Sequence, residues 1–118
     1  MKQLLASWVV LMVWAMPVQA ASVNLAWNAN PEADLAGYNL YRAPGTCALP
    51  GAFAKTNTFV KPAVTGSNSV TVDGDYCYAL TAYDVGGLES LFSNKVGVTV
   101  NANPPAVPAN VHLVDVTP

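Results

Sequence analysis

Tyr76-Cys77-Tyr78-Ala79-Leu80-Thr81-Ala82-Tyr83-Asp84 decides how the rest of the chain is read. Side chains of an extended backbone alternate between two faces, so Tyr76, Tyr78, Leu80 and Ala82 point one way and Cys77, Ala79, Thr81 and Tyr83 the other. Asp73-Gly74-Asp75 supplies a tight turn before this strand, and Val85-Gly86-Gly87 breaks it. Working outward, Val23, Leu25 and Trp27 share one face of an earlier strand, opposite Asn24, Ala26 and Asn28. After a turn at Asn30-Pro31-Glu32-Ala33-Asp34, residues 37–42 place Tyr38 and Leu40 on a common face. Residues 43–57 read as a long connection containing Pro and Gly, followed by weaker strand signals at residues 58–64 and 67–72. Residues 95–100 close the set with Val96, Val98 and Val100 inward. Short runs rich in Val, Thr and Tyr, with Gly or Pro every ten residues or so and no sustained helical period, predict an all-β sandwich.

Residues 1–20 have a different character. Lys2 precedes an apolar stretch over residues 4–16, Pro17 breaks it, and Val18-Gln19-Ala20 places small residues where a signal peptidase cuts. Roughly 13 apolar residues are too few for a hydrocarbon core that needs about 20 in a helix. The expectation is a secretory leader that is removed, with no cysteine behind the cut to carry a lipid. Trp8, Trp14 and every methionine fall within it, leaving Trp27 as the one tryptophan of residues 21–118. Those residues make one domain's length. Their cations are Arg42, Lys55, Lys61 and Lys95, against seven acidic side chains. Four scattered cations form no basic patch, which argues against nucleic acid and anionic membrane as partners.

The chain resembles a fibronectin type III domain, the seven-stranded immunoglobulin-like sandwich, over roughly residues 22–100. The resemblance is carried by Leu25-Ala26-Trp27, by Gly37-Tyr38-Asn39-Leu40-Tyr41-Arg42, and above all by Tyr76 to Asp84 leading into Gly87-Leu88-Glu89-Ser90-Leu91-Phe92-Ser93-Asn94. It implies that Trp27, Tyr38, Leu40, Tyr76, Tyr78 and Leu80 build the core. Trp27 takes the place of the second-strand tryptophan, and Tyr76 that of a corner tyrosine whose hydroxyl bonds back to the preceding connection. It also implies that the first strand is missing at the N-terminus. A secreted binding, adhesion or spacer module follows from the family, without any ligand being fixed by it.

Cys47 and Cys77 are the only cysteines, and an even count in an exported chain predicts a disulfide. Cys77 is expected outward on its strand. The neighbouring strand over residues 37–42 leads directly to Cys47. Closing a loop of about 30 residues would contribute roughly 3 kcal/mol. The resemblance makes such a bridge a local addition that staples the 43–57 connection, since family members usually lack one. A redox-active or metal-binding pair is the other reading, without CxxC spacing or a nearby histidine to favour it.

His112, the only histidine, stands in the tail away from any nucleophile or carboxylate that strand geometry would bring to it, so no catalytic pair is proposed and no cofactor expected. Glu32 with Asp34, or Asp73 with Asp75, offers oxygen ligands for Ca²⁺, but turn chemistry accounts for both clusters. Tyr41 and Tyr83 are expected outward on one sheet, either as an aromatic patch for a protein or polysaccharide ligand or as cross-strand pairs. No Arg-Gly-Asp triplet and no Asn-x-Ser/Thr acceptor occurs.

Residues 101–118 read as a Pro-rich extended linker followed by a strand-like run in which Val111, Leu113 and Val116 are the apolar positions. Residues 105–114 resemble the opening of another fibronectin type III domain: the missing strand stands at the wrong end. Three readings compete. The tail is a truncated second domain or a disordered end. It folds back on its own domain, for which residues 101–110 span at most about 33 Å. Or it fills the vacant edge beside the Trp27 strand of the next molecule and builds a head-to-tail fibre by self-association. The sequence therefore predicts a non-enzymatic module exported to the extracellular space or periplasm that binds or spaces. A structural subunit that assembles by donating its C-terminal strand is the alternative.

Overall fold

The structure is a computed structural model that describes residues 19–118. The predicted leader lies outside the described residues except for Gln19 and Ala20. Six strands follow in order: β1 (Ala21–Ala26), β2 (Leu35–Pro44), β3 (Ala54–Val60), β4 (Thr65–Val70), β5 (Gly74–Asp84) and β6 (Val96–Val100). They form two antiparallel sheets, one ordered β3-β2-β5-β6 and the other β1-β4. There is no helix among the described residues.

β5 lies in the interior of the larger sheet, with β2 on one edge and β6 on the other. The inner face carries Tyr38, Leu40 and Tyr78, each at most 2% exposed. Trp27 reaches across from the end of β1, its ring centroid 5.3 Å from Tyr38 and 5.5 Å from Phe59. Asn68 of β4 is a buried polar node between the sheets. It accepts from the Tyr78 hydroxyl at 2.8 Å and from Arg42 at 2.9 Å, and donates to Asn57 at 2.9 Å. A buried amide satisfied on both sides avoids the cost of about 1–3 kcal/mol that an unpaired polar group carries.

Several expectations need correction. Cys77 lies on the outward face, opposite Tyr78, yet is fully buried, with Ala79 and Thr81 of the same face nearly so, because residues 45–53 and 88–93 are held against this side and edge of the sheet. The predicted connection over residues 43–57 shrinks to residues 45–53, since pairing extends β2 to Pro44 and starts β3 at Ala54. β3 and β4 begin earlier than the weak signals at residues 58–64 and 67–72. Lys61-Pro62, a cis peptide, falls in the turn between them. Val96 is 43% exposed and Val98 half-buried, so only Val100 of the three closing valines is well covered. Leu80, Tyr76 and Trp27, expected in the core, are half-buried. The common cause is the narrowness of the second sheet, whose two strands cannot roof four.

Residues 101–118 form no strand. Their start is moored at one pole, where the Ala102 amide donates to Asp73 at 2.8 Å and the Asn103 side chain to the Thr71 carbonyl at 3.1 Å. Beyond that, Val111, Leu113, Val114 and Val116 stand 75–88% exposed. An alternating apolar run becomes a strand only when a ladder partner satisfies its backbone.

Candidate functional site

Two features of the surface are built rather than incidental. The first begins at the irregular segment after β5. Gly87, with φ of 85°, turns the chain, and the Leu88 amide donates to the Asp84 carboxylate. Ser90 and Ser93 then run along β5 in place of a regular strand. Their backbone amides donate to the Ala82 and Leu80 carbonyls, both at 2.8 Å. In return their hydroxyls accept from the amides of Ala82, at 2.9 Å, and Leu80, at 3.0 Å. Two side-chain oxygens thus replace two ladder carbonyls, and the intervening Leu91-Phe92 pair is free to bulge.

The bulge places Phe92 over the outer face of the larger sheet. Its ring centroid lies 5.0 Å from Tyr41, edge to face, and 5.1 Å from Phe53. The Lys95 ammonium stands 5.4 Å from the Phe53 ring centroid. Phe53 is positioned by the 45–53 loop, which the Cys47–Cys77 disulfide ties to β5. The loop is also pinned by the Gly45 amide on the Asp75 carbonyl at 2.8 Å and by the Gly51 amide on the Pro44 carbonyl at 2.7 Å.

Beside the rings lies Glu89, brought there by a bridge to Tyr83. Its Oε1 accepts from the hydroxyls of Thr81 and Tyr41 and from the Asn39 amide. Asn39 in turn accepts from Thr58 at 2.8 Å. The Thr81 and Tyr41 hydrogen bonds, with smaller help from Asn39 and the Lys55 charge, hold the Glu89 carboxyl below its ordinary range. Its hydrogen bond to Glu89 first, then partial burial, raises the Tyr41 phenol. The result is a fixed carboxylate beside a stripe of three rings, with Lys55 and Lys95 at its border.

Tyr41 and Tyr83 do not form one patch. Tyr41 pairs with Ala79 and Tyr83 with Gly37, a separation of about 13 Å along the strands, with Asn39, Thr81 and Glu89 between them. Tyr41's ring neighbour is Phe92. Glu89 and Phe92 belong to the run over residues 87–94 that carries the family resemblance, but nothing in the sequence marked them, or Phe53, as residues of a site. The Ser90-x-x-Ser93 spacing marks the bulge only once β5 is known to lie beside it.

The second feature is an open seam between the sheets. β1 has β4 on one edge, and no strand among the described residues pairs with the other. A groove of about 520 Å³ at the Trp27 end shares Leu80 and Asn94 as walls with a smaller apolar one of about 100 Å³, lined by Leu25, Leu40, Tyr78 and Val96. The Trp27 Nε1 is buried here without a hydrogen-bond acceptor.

Asp73 accepts from the Ala102 and Asn103 amides, and Asp75 from the Thr99 hydroxyl at 2.6 Å, so both carboxylates serve the pole from which the tail departs. Glu32 and Asp34 line a different groove, near Tyr83. No group of three metal-ligating side chains occurs among the described residues. His112 lies in the tail, its Nδ1 2.7 Å from the Asn110 carbonyl. No helix of the described residues is long and apolar enough to cross a membrane. Neither a protein-family model nor a curated protein matches this chain.

Proposed function

We propose that the chain is an exported, non-enzymatic module of fibronectin type III, immunoglobulin-like type, and that it binds a ligand through the outer face of its larger sheet. Three observations support the fold reading. The strand order gives a six-stranded sandwich in which the outer edge of β1 is unpaired among the described residues. Trp27 packs on Tyr38 between the sheets. The Tyr76 hydroxyl donates to the Val72 carbonyl, four residues upstream, at 2.6 Å, the geometry of a tyrosine corner. Export is supported by the disulfide, which persists in oxidising compartments, and by the leader-like residues 1–20.

The binding reading rests on the stripe of Tyr41, Phe92 and Phe53 beside the fixed Glu89 carboxylate. A polysaccharide chain matches it best. Sugar rings offer apolar C–H faces to aromatic side chains and hydroxyls to a carboxylate acceptor. A carboxylate already oriented by three donors loses little freedom on binding. The test is a glycan array and a panel of cell-envelope proteins probed with residues 21–118, wild type against Phe92→Ala/Lys95→Ala. Retention of a polysaccharide that the double variant loses at least ten-fold, with an unchanged unfolding midpoint, is the expected result. Binding to envelope protein alone moves the ligand class to protein. Equal binding by both chains removes this face as the site.

A further inference from the structure

We infer that the open seam beside β1 receives the C-terminal run of a second copy of this chain, residues 111–116, as an added antiparallel strand. The seam is unsealed in a way a finished sandwich is not. β1 offers its outer row of backbone donors and acceptors to no strand among the described residues. The floor beneath, Leu40 and Tyr78, belongs to the core, and Val96 at its wall is 43% exposed. Exposed strand edges are ordinarily guarded by charge, proline or a covering segment. β1 and β4 contain no charged residue and no proline between them.

The tail has complementary properties. Val111 and Leu113 lie on one face of an extended run, Val114 and Val116 on the other, all largely exposed and none in a ladder. Six residues from 111 to 116 extend about 20 Å, the length of the six-residue β1.

Direction decides whose tail fits. The chain leaves β6 at the pole of Val100 and Asp73. Ala21, opposite Val70, starts β1 at that same pole, so β1 runs from the exit pole toward Trp27. A molecule's own tail meets the edge at the Ala21 end and lies parallel to β1. To lie antiparallel it must first travel the length of β1 and reverse. Residues 104–109, three of them proline, reach about 20 Å when fully extended, which leaves nothing for the reversal. A tail arriving from a neighbour stacked on the Trp27 pole enters antiparallel, the more stable ladder. The contact is heterologous, so each added copy exposes a new tail and a new seam, and growth is linear.

One strand of this length buries less than a standard interface, so the dissociation constant falls roughly between 10 µM and 1 mM. Light scattering of residues 21–118 across that range should show a mass that rises with concentration past the dimer. Leu113→Asp/Val114→Asp, which places a charge on each face of the tail, and deletion of residues 105–118 should each restore a monomer at every concentration. Hydrogen exchange reads the same event locally: the outward amides of Ser22, Asn24 and Ala26, which alternate with those turned to β4, should gain at least ten-fold protection on concentrating the wild type, and none in either variant. A wild type that stays monomeric throughout overturns the inference. So does association that survives both tail changes. Protection of β1 that is lost on deleting the tail yet independent of concentration overturns it in favour of the molecule's own tail.

Discussion

Replacing Cys47 and Cys77 together by alanine measures how much of this small sandwich depends on one covalent link. The bridge spans a sequence separation of 30. On the chain-entropy relation, a closed loop of that length restricts the unfolded ensemble by about 3.6 kcal/mol at 25 °C. The Cys77 side is fully buried, and removing a sulfur-sized group from such a position costs about 0.8 kcal/mol more. Alanine is the right replacement, because a serine hydroxyl there would be sealed without a partner. The folded loop should change little, since the Gly45 and Gly51 amides keep their carbonyl partners at 2.8 and 2.7 Å. Most of the effect therefore falls on the unfolded state. Urea unfolding, followed by Trp27 fluorescence and far-ultraviolet circular dichroism, should show a loss of about 4 kcal/mol, a large part of the roughly 5–15 kcal/mol typical of a domain. The slope against urea should rise, because the unlinked chain exposes more surface. A loss below about 1 kcal/mol with an unchanged slope would refute the entropic account.

Trp27→Phe removes the Nε1–H that is buried without an acceptor while keeping a ring against Tyr38 and Phe59. It should cost under about 1.5 kcal/mol, against about 3–5 for Trp27→Ala; equal losses by circular dichroism would show that the indole nitrogen has an acceptor in solution. Glu89 and Tyr78 set opposite pH limits. The folded Glu89 carboxyl is depressed, chiefly by the Thr81 hydrogen bond, so its small contribution is present above the unfolded glutamate value of about 4.3 and is lost as pH falls through the lower folded value. Carbonyl-carbon NMR should follow Glu89 titrating below that value, and Thr81→Val should move it part of the way back, since the Tyr41 bond remains. Burial raises the folded Tyr78 phenol, so its contribution is complete below the unfolded tyrosine value of about 10 and is lost as pH rises through the folded one. Absorbance at high pH should show a late-titrating phenol that Tyr78→Phe removes.

The alternation of Val23, Leu25 and Trp27, of Tyr38 and Leu40, and of the residues in β5 was legible because it depends only on backbone pleating and on which side faces water. The Cys47 to Cys77 pairing was legible because β2 leads into Cys47 and is the neighbour of β5. The bounds of β3 were not: Ala54-Lys55-Thr56-Asn57 is polar and has weak strand propensity, and it is ordered by the ladder that β2 offers. Glu89 and Phe92 were equally hidden. What makes them a site is the approach of Glu89 to Thr81, Tyr41 and Asn39, which lie 8, 48 and 50 residues away along the chain, and of Phe92 to Tyr41.

By itself, then, the sequence determined an all-β chain of short amphipathic strands, one disulfide and an apolar tail, since local period and composition fix how each segment meets water. Only the tertiary structure decided that both faces of β5 are buried, that Ser90 and Ser93 replace a stretch of ladder so that Phe92 can join Tyr41, and that β1 lies beside an open seam. Those outcomes depend on which segments pack together, and a two-stranded sheet facing a four-stranded one leaves an edge that no local pattern of residues can announce.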